Sequence, residues 1–517
     1  MGKIKKSKKP AARQSVSAPI DDRRTEYLTV GLILLFASVL ILASLGNIYL
    51  WQDEAQTACV AKTILTHGVP LGFDGTNSFS QQGGAEYGKD YIWRWHTWLP
   101  FYVLAGFFAL FGTSNFVCRL PFALAGIGTV ILAYYYGRFL WRRRSAGVFA
   151  AALLLVNVPF LLLVRQCRYY SMTALFALGA LYAYSQMLKG RRGAHVYFII
   201  AFCLLFHTFY VYCPPLLAAV VVHSAIYHRD KLKRVLLTSA VAAMLTMPWM
   251  VFFSSVYGAV HGGRSLIQNP LGLIGQFVGQ TAQWIFTPLL PLTLLAAAWA
   301  WIRTGRRPAP DSEQKQNAVL LALFVAAVIL TLGWSSPYPF FRYLAPIIPV
   351  CILIAALIMD SSWKVGKVIP LGALIGMAFF LKMPDYLYEI THDYDGGIEG
   401  IAKYLNEHAR KGDTVIVNHE GMPIKWYTGL KVYSPMSGED YRAGIDADWV
   451  IPRLHIASLD KPIARFIFDT IPLEEVYTST MLAYPDTPDE NREELSLHLF
   501  RTDKKERGVI IWHRVRE

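Results

Sequence analysis

The sequence of 517 residues is short of charge: 17% are Asp, Glu, Lys or Arg, against 54% hydrophobic. Soluble domains carry about 25% charged residues, which argues against a single water-soluble globule. Cysteine is scarce too. The six cysteines (Cys59, Cys118, Cys167, Cys203, Cys213 and Cys351) lie in or near apolar stretches, without CxxC spacing. Neither a disulfide framework nor a zinc cage is expected. Acidic residues are thinly spread, and none stands between Arg165 and Lys189. The sequence shows no internal repeat.

What the chain has instead is long uncharged runs. From Leu28 to Leu50 the only ionisable side chain is Tyr49. A hydrocarbon layer roughly 30 Å thick needs about 20 helical residues, so this run is long enough to cross. The fold class expected is mainly α, a polytopic helical membrane protein. The net charge of +14 does not point to nucleic acid, because Lys and Arg fall in short clusters between apolar runs. Cytoplasmic loops have that pattern. The opening MGKIKKSKKPAARQ is a basic tail suited to anionic lipid. The apolar run after it exceeds the roughly 7–15 residues of a signal-peptide core, so it is expected to stay as the first span.

Placing all basic clusters on one side requires an even number of crossings between successive clusters. Spans near 28–50, 119–137, 148–164, 170–188, 195–211, 214–227, 235–253, 285–302, 317–334, 344–359 and 368–383 meet that condition. About eleven spans result, with the amino terminus inside and the carboxyl terminus outside. The run 97–112 is short and contains Pro100, which suits a re-entrant or interfacial helix. The expected organisation is a basic cytoplasmic tail (1–26), a membrane domain (27–384) with an external loop (51–118), and an external α/β domain (385–517). In that last part IEGIAKYLNEHARKGD reads as an amphipathic helix ended by Gly412. TVIVN, TGLKVYSP and GVIIWHRV read as strands.

This threading gathers the candidate site residues outside. Asp53 and Glu54 follow the first span; acids at a membrane edge are functional candidates, although capping a helix is the more ordinary role. The loop GGAEYGKDYIWRWHTW sets Lys89, Arg94 and His96 among Tyr and Trp side chains. An interfacial aromatic belt and a groove for sugar, prenyl chain and phosphate both fit that composition. In RQCRYYSM, Arg165 and Arg168 beside Tyr169 suit lipid phosphates in general or one phosphate held by the planar guanidinium fork. Arg342 and Tyr343 begin a later span, and His261 and Arg264 lie on a glycine-rich loop.

The DE pair at Asp53, HTWLPFY from His96, FALFGTSNFVCRLPFALAG, RQCRYYSM and FFRYLAPIIP together resemble a known family. They are similar to the GT-C glycosyltransferases that use polyprenyl-phosphate sugars, namely the protein O-mannosyltransferase and aminoarabinose-transferase group. The resemblance covers about the first 360 residues. It implies inverting sugar transfer from a polyprenyl-phosphate donor to a lipid, glycan or protein acceptor, at the outer face of a bacterial inner membrane. For such a reaction Asp53 and Glu54 are the catalytic candidates, and Lys89, Arg165, Arg168 and Arg342 are the candidates to hold the donor phosphate. His96, Tyr169, Tyr343 and His261 are the candidates to contact substrate. No nucleotide cofactor and no nucleic-acid partner are implied.

Two departures stand out. Thr97 and Trp98 occupy positions where the family motif usually has two prolines. The second loop has no acid near Ser171, where many members hold a divalent metal, and that weakens the expectation of a metal here. The alternative function is a transporter or flippase of lipid-linked sugars. Only His207, Asn157 and Gln186 offer polar groups inside the expected spans, whereas strong charges cluster at the outer ends. That distribution favours chemistry at the surface over carriage across the membrane.

Overall fold

The computed structural model describes residues 20–261, 269–286, 298, 302, 311–336, 338–363, 366–393, 396–456, 461–487 and 508–515. In chain order the principal helices are α1 (Ile20–Leu42), α2 (Gln52–His67), α3 (Leu99–Phe111), α4 (Asn115–Trp141) and α5 (Arg144–Leu155). Next come α6 (Val158–Val164), α7 (Tyr170–Leu188), α8 (Ala194–Phe209), α9 (Cys213–Tyr227), α10 (Arg229–His261) and α11 (Pro270–Thr281). The series closes with α12 (Ser312–Ser335), α13 (Ile348–Trp363), α14 (Val368–Phe380), α15 (Met383–Glu389), α16 (Gly397–His408) and α17 (Gly421–Thr428).

Among the described residues, six helices are long and apolar enough to cross a membrane, or eight if each of two bent pairs counts as one span. Eleven were expected. The run expected at 285–302 lies almost wholly outside the described residues. The run at 148–164 bends by 73° between α5 and α6, and 368–383 bends by 58° between α14 and α15. Asn157 makes the first break: its side chain accepts from the Phe160 amide at 2.9 Å, and Pro159 follows it. Helix α3 has 13 residues, about 20 Å at 1.5 Å per residue, too short to cross.

The continuous helical stretch Ala194–Tyr227 doubles back through a 3-10 turn at Tyr210–Tyr212. Near the start of α10, His195 contacts Arg234 and His223 lies against His228. A straight helix would hold positions 195 and 223 about 42 Å apart. The interior polar residues serve this packing. Tyr184 bonds His223 at 2.8 Å, and the other ring nitrogen of His223 faces the Gln316 carbonyl.

The first span ends earlier than its apolar run. Helix α1 stops at Leu42, Ser44 takes φ 49°, and the Gly46–Asn47 turn follows. Residues 43–49 therefore leave the helix with carbonyls that need donors. Two buried arginines supply them, as described below.

Beyond residue 396 the chain forms a sheet in the order β2-β1-β3-β5-β4. Its strands are β1 (Thr414–Val417), β2 (Lys431–Tyr433), β3 (Trp449–Ile451), β4 (Tyr477–Pro485) and β5 (Gly508–Arg514). β2, β1 and β3 are parallel; β5 and β4 run antiparallel at one side. The three strands read from sequence are β1, β2 and β5. The amphipathic helix is α16, and it ends at His408 rather than at Gly412. β3 and β4 were not anticipated, and β3 has only three residues.

This part of the chain grips the first loop. Helix α17 packs on α2, where the Met422 amide donates to Gln52 Oε1 at 3.2 Å. Tyr427 Oη accepts from the Leu50 amide and donates to Asn115 Oδ1. Lys425 is buried with Nζ donating to the Ser78 carbonyl at 2.7 Å. Burial pushes its pKa down to about 8. Below pH 8 the folded chain bears the cost of a buried ammonium. Between about 8 and the ordinary 10.5 only the unfolded chain keeps the proton, so stability rises with pH there. Thermal unfolding between pH 7.5 and 10 is expected to show this rise, and Lys425→Met is expected to flatten it.

Candidate active site

Asp53 stands in the first turn of α2, where unpaired amides present partial positive charge. Its carboxylate is 15% exposed and faces two guanidiniums, Arg342 Nη2 at 3.6 Å and Arg168 Nη2 at 3.9 Å. Three loops distant in sequence thus meet at one acid. Arg168 is fixed by further bonds from Nη1 to Thr57 Oγ1 at 2.9 Å and to the Asp53 carbonyl at 3.2 Å. Arg342 lies 4.1 Å over the Phe340 ring and 5.6 Å over the Trp51 ring. Asp53 does not act as the cap of α2; that helix runs past Ala61 to His67, and the carboxylate meets cations instead.

A narrow pocket opens beside Arg168, lined among others by Thr57, His96, Thr97, Phe101, Tyr169 and Thr208. His96 and Tyr169 are buried, with ring centroids 5.7 Å apart, and Tyr169 stacks on Phe209 at 4.6 Å. Trp93 Nε1 donates to His96 Nδ1 at 3.2 Å. Indole is a donor only, so Nδ1 carries no proton and Nε2 carries it. Burial, with the Arg168 charge nearby, pushes the His96 pKa well below 6.5. His96 is therefore a neutral donor at physiological pH.

Glu54 and Arg165 take other places than those expected from sequence. Glu54 is fully buried, held by Arg119 through Nε–Oε1 at 2.8 Å and Nη2–Oε2 at 2.6 Å. Glu54 also accepts from the Cys167 amide at 2.7 Å and the Trp51 amide at 3.4 Å. Its lone pairs are taken up this way. Arg165 is also buried, with Nη1 donating to Ile41 O at 2.9 Å and Ala43 O at 2.8 Å, and Nη2 donating to Ser44 O at 3.3 Å. It closes the carbonyl end of α1, where a cation is favoured. Lys89 is exposed on its loop, and no hydrogen bond or ion pair joins it to Asp53, Arg168 or Arg342 among the described residues. The His261 side chain lies outside the described residues.

Arg119 is the residue that sequence reading passed over. Its five N–H groups all find acceptors: both Glu54 oxygens and the carbonyls of Leu45, Ile48 and Tyr49. It welds α4, the turn after α1 and the first turn of α2. An arginine in the first turns of a 27-residue helix whose other charge, Arg138, waits until its last turn was the available signal, since such a charge must be paired.

A family model described as dolichyl-phosphate-mannose-protein mannosyltransferase matches residues 95–252. The structure is similar to ArnT from Cupriavidus metallidurans bound to undecaprenyl phosphate: TM-score 0.62, 14% identity, 94% of this chain and 98% of that one covered. The fold is GT-C-like. It is also similar to the oligosaccharyltransferase AglB from Archaeoglobus fulgidus, in complex with an inhibitory peptide and a dolichol-phosphate. That match has TM-score 0.59 and 11% identity, over 90% of this chain and 74% of that one. The arabinofuranosyltransferase AftD from Mycobacteria matches at TM-score 0.51 and 13% identity, over 96% of this chain and 40% of that one. No curated protein sequence matches.

In this GT-C-like fold the residues around Asp53 do not suit a divalent metal. Such ions take several oxygen ligands, whereas the charged side chains paired with Asp53 are guanidiniums. Among the described residues no group of three His, Cys, Asp or Glu side chains is arranged to hold a metal.

Proposed function

We propose that the chain is a membrane glycosyltransferase that moves a sugar from a polyprenyl-phosphate donor to an acceptor nucleophile at the outer membrane surface. One observation carries this reading: a partly exposed carboxylate, Asp53, sits between two arginines that arrive from separate loops. Sugar transfer needs that pairing of charges. The acceptor hydroxyl is a weak nucleophile, and Asp53 takes its proton as the new O–C1 bond forms. The C1–O bond to phosphate breaks on the opposite face, with inversion at C1. The departing lipid phosphate gains negative charge, which Arg168 and Arg342 meet with their planar forks. Asp53 thus serves as the base, and the two arginines bind the donor phosphate. His96 and Tyr169 line the pocket beside them, and Tyr343 follows Arg342 in the chain. No step is routed through a metal.

The likeness to the proteins crystallised with undecaprenyl phosphate and dolichol-phosphate supports a lipid-phosphate donor. A bacterial inner membrane, with the site on the periplasmic side, fits this reading. The transporter alternative gains nothing from the interior polar groups. Asn157 caps α6, and His207 stacks edge-on against Trp249 at 5.4 Å. Purified protein supplied with radiolabelled polyprenyl-phosphate mannose and mixed membrane acceptors is expected to release sugar-free polyprenyl phosphate. Vesicle-to-vesicle movement of intact donor without release would overturn the proposal.

A further inference from the structure

Thr97 offers a hydroxyl that no described residue uses. It is 1% exposed, its Oγ1 has no hydrogen-bond partner among the described residues, and it lines the pocket beside Arg168. Buried polar atoms are nearly always satisfied, so a lone one in a pocket wall marks a place for a ligand group. Next to it stands His96, whose Nδ1 is fixed as the acceptor of the Trp93 indole, leaving Nε2–H to donate. Phe101 and Tyr169 supply apolar walls. The groups on offer are one neutral donor, one hydroxyl able to donate or accept, and aromatic faces.

The charge around this pocket has one sign missing. From Tyr91 to Pro310 the sequence contains a single acid, Asp230. Asp230 lies in the first turn of α10, the end that meets His195, whereas Trp249 farther along α10 reaches Trp98. The acids of the first loop are already engaged. Glu54 holds Arg119, and Asp90 holds Arg94. Asp74 accepts from the Thr76 and Asn77 amides, and Glu86 from Ser80 and the Gln81 amide. Asp53 has two arginines. Among the acids of the first loop and of residues 91–310, an ammonium group in the pocket would find beside Arg168 only Asp53, which already faces two arginines.

Resting on the transferase reading, we infer that the Thr97–His96 pocket is a specificity pocket for a hydroxyl of the donor sugar, and that this sugar is uncharged rather than an amino sugar. Arg168 joins the two parts of the site, since it contacts Asp53 and also lines the pocket. A sugar joined directly to the phosphate held by Arg168 lies within reach of Thr97. The acceptor, by contrast, must approach from the Asp53 side.

The test is equilibrium binding to the purified full-length protein of three probes: polyprenyl-phosphate mannose, its aminopentose counterpart, and sugar-free polyprenyl phosphate. The mannosyl lipid is expected to bind at least tenfold more tightly than the aminopentose lipid. Thr97→Val, which keeps shape and removes the hydroxyl, is expected to weaken mannosyl-lipid binding about fivefold, the value of one neutral hydrogen bond. It should leave the sugar-free lipid within twofold, and Thr97→Ser should restore wild-type binding. Equal weakening of the mannosyl and sugar-free lipids by Thr97→Val would reduce Thr97 to a packing residue and overturn the inference. Aminopentose binding as tight as mannose binding would overturn it too. Failure of all three lipids to bind would overturn the transferase reading itself.

Discussion

Replacing Asp53 by Asn is expected to lower sugar transfer by about 10²–10⁴-fold, the usual contribution of a positioned general base. Asparagine keeps the size of the side chain and still reaches Arg168 and Arg342, but its amide oxygen cannot take a proton at neutral pH. The fall should appear in kcat. Binding of sugar-free polyprenyl phosphate should hold or tighten, because a carboxylate next to the phosphate site opposes a second anion. That split between rate and binding separates a base from an acid that merely orients two arginines. If Asp53→Asn kept near-normal release of polyprenyl phosphate in membranes, the base assignment would be wrong. If lipid-phosphate binding fell in step with the rate, Asp53 would be a positioning residue for the two guanidiniums.

The second large effect is expected at Glu54, through stability. Glu54→Gln leaves Arg119 buried with its countercharge gone, and breaking a buried pair in this way typically costs about 3–5 kcal/mol. Arg119→Lys is expected to be severe too, because three donors replace five and the carbonyls of Leu45, Ile48 and Tyr49 compete for them. Combining Glu54→Gln with Arg119→Gln should cost less than the sum of the single changes, since both remove the same charge pair. Thermal unfolding of the detergent-purified variants checks this. Glu54→Gln that unfolds normally yet loses transfer would return Glu54 to the chemistry.

The two neighbouring acids show why the DE pair was only half legible. In the sequence Asp53 and Glu54 are equivalent carboxylates at a membrane edge. Successive helical residues point about 100° apart, so the start of α2 sends one side chain toward α4 and the other toward Arg168 and Arg342. The pair Arg165 and Arg168 divides in the same way. Three residues apart in a short loop, one reaches back to the carbonyl end of α1 and the other forward to the first turn of α2. Both arginines read from sequence as phosphate ligands, because the sequence does not show that α1 ends at Leu42 and leaves carbonyls to be met.

The broken helices were hidden for a related reason. Hydropathy sums over a window, so 148–164 and 368–383 look like single spans although they bend by 73° and 58°. Asn157 and Pro159 mark the first bend, and left-handed Lys382 with Pro384 marks the second. In the C-terminal part, β1 and β5 carried apolar β-branched runs and β2 followed the Gly429 turn, so all three were visible. The three residues of β3 depend on their parallel pairing with β1 for their identity as a strand.

The sequence alone determined that this is a helical membrane protein, which loops carry its cations, and that acids are almost absent from its middle. Those properties follow from local composition, because the cost of placing each segment in hydrocarbon is nearly additive along the chain. The tertiary structure decided which acid meets which arginine. Arg119 with Glu54, Arg165 with the end of α1, and Arg168 and Arg342 with Asp53 are pairings across long stretches of chain. A buried charge must find its partner wherever the packed helices bring one, and the order of residues does not say where that will be.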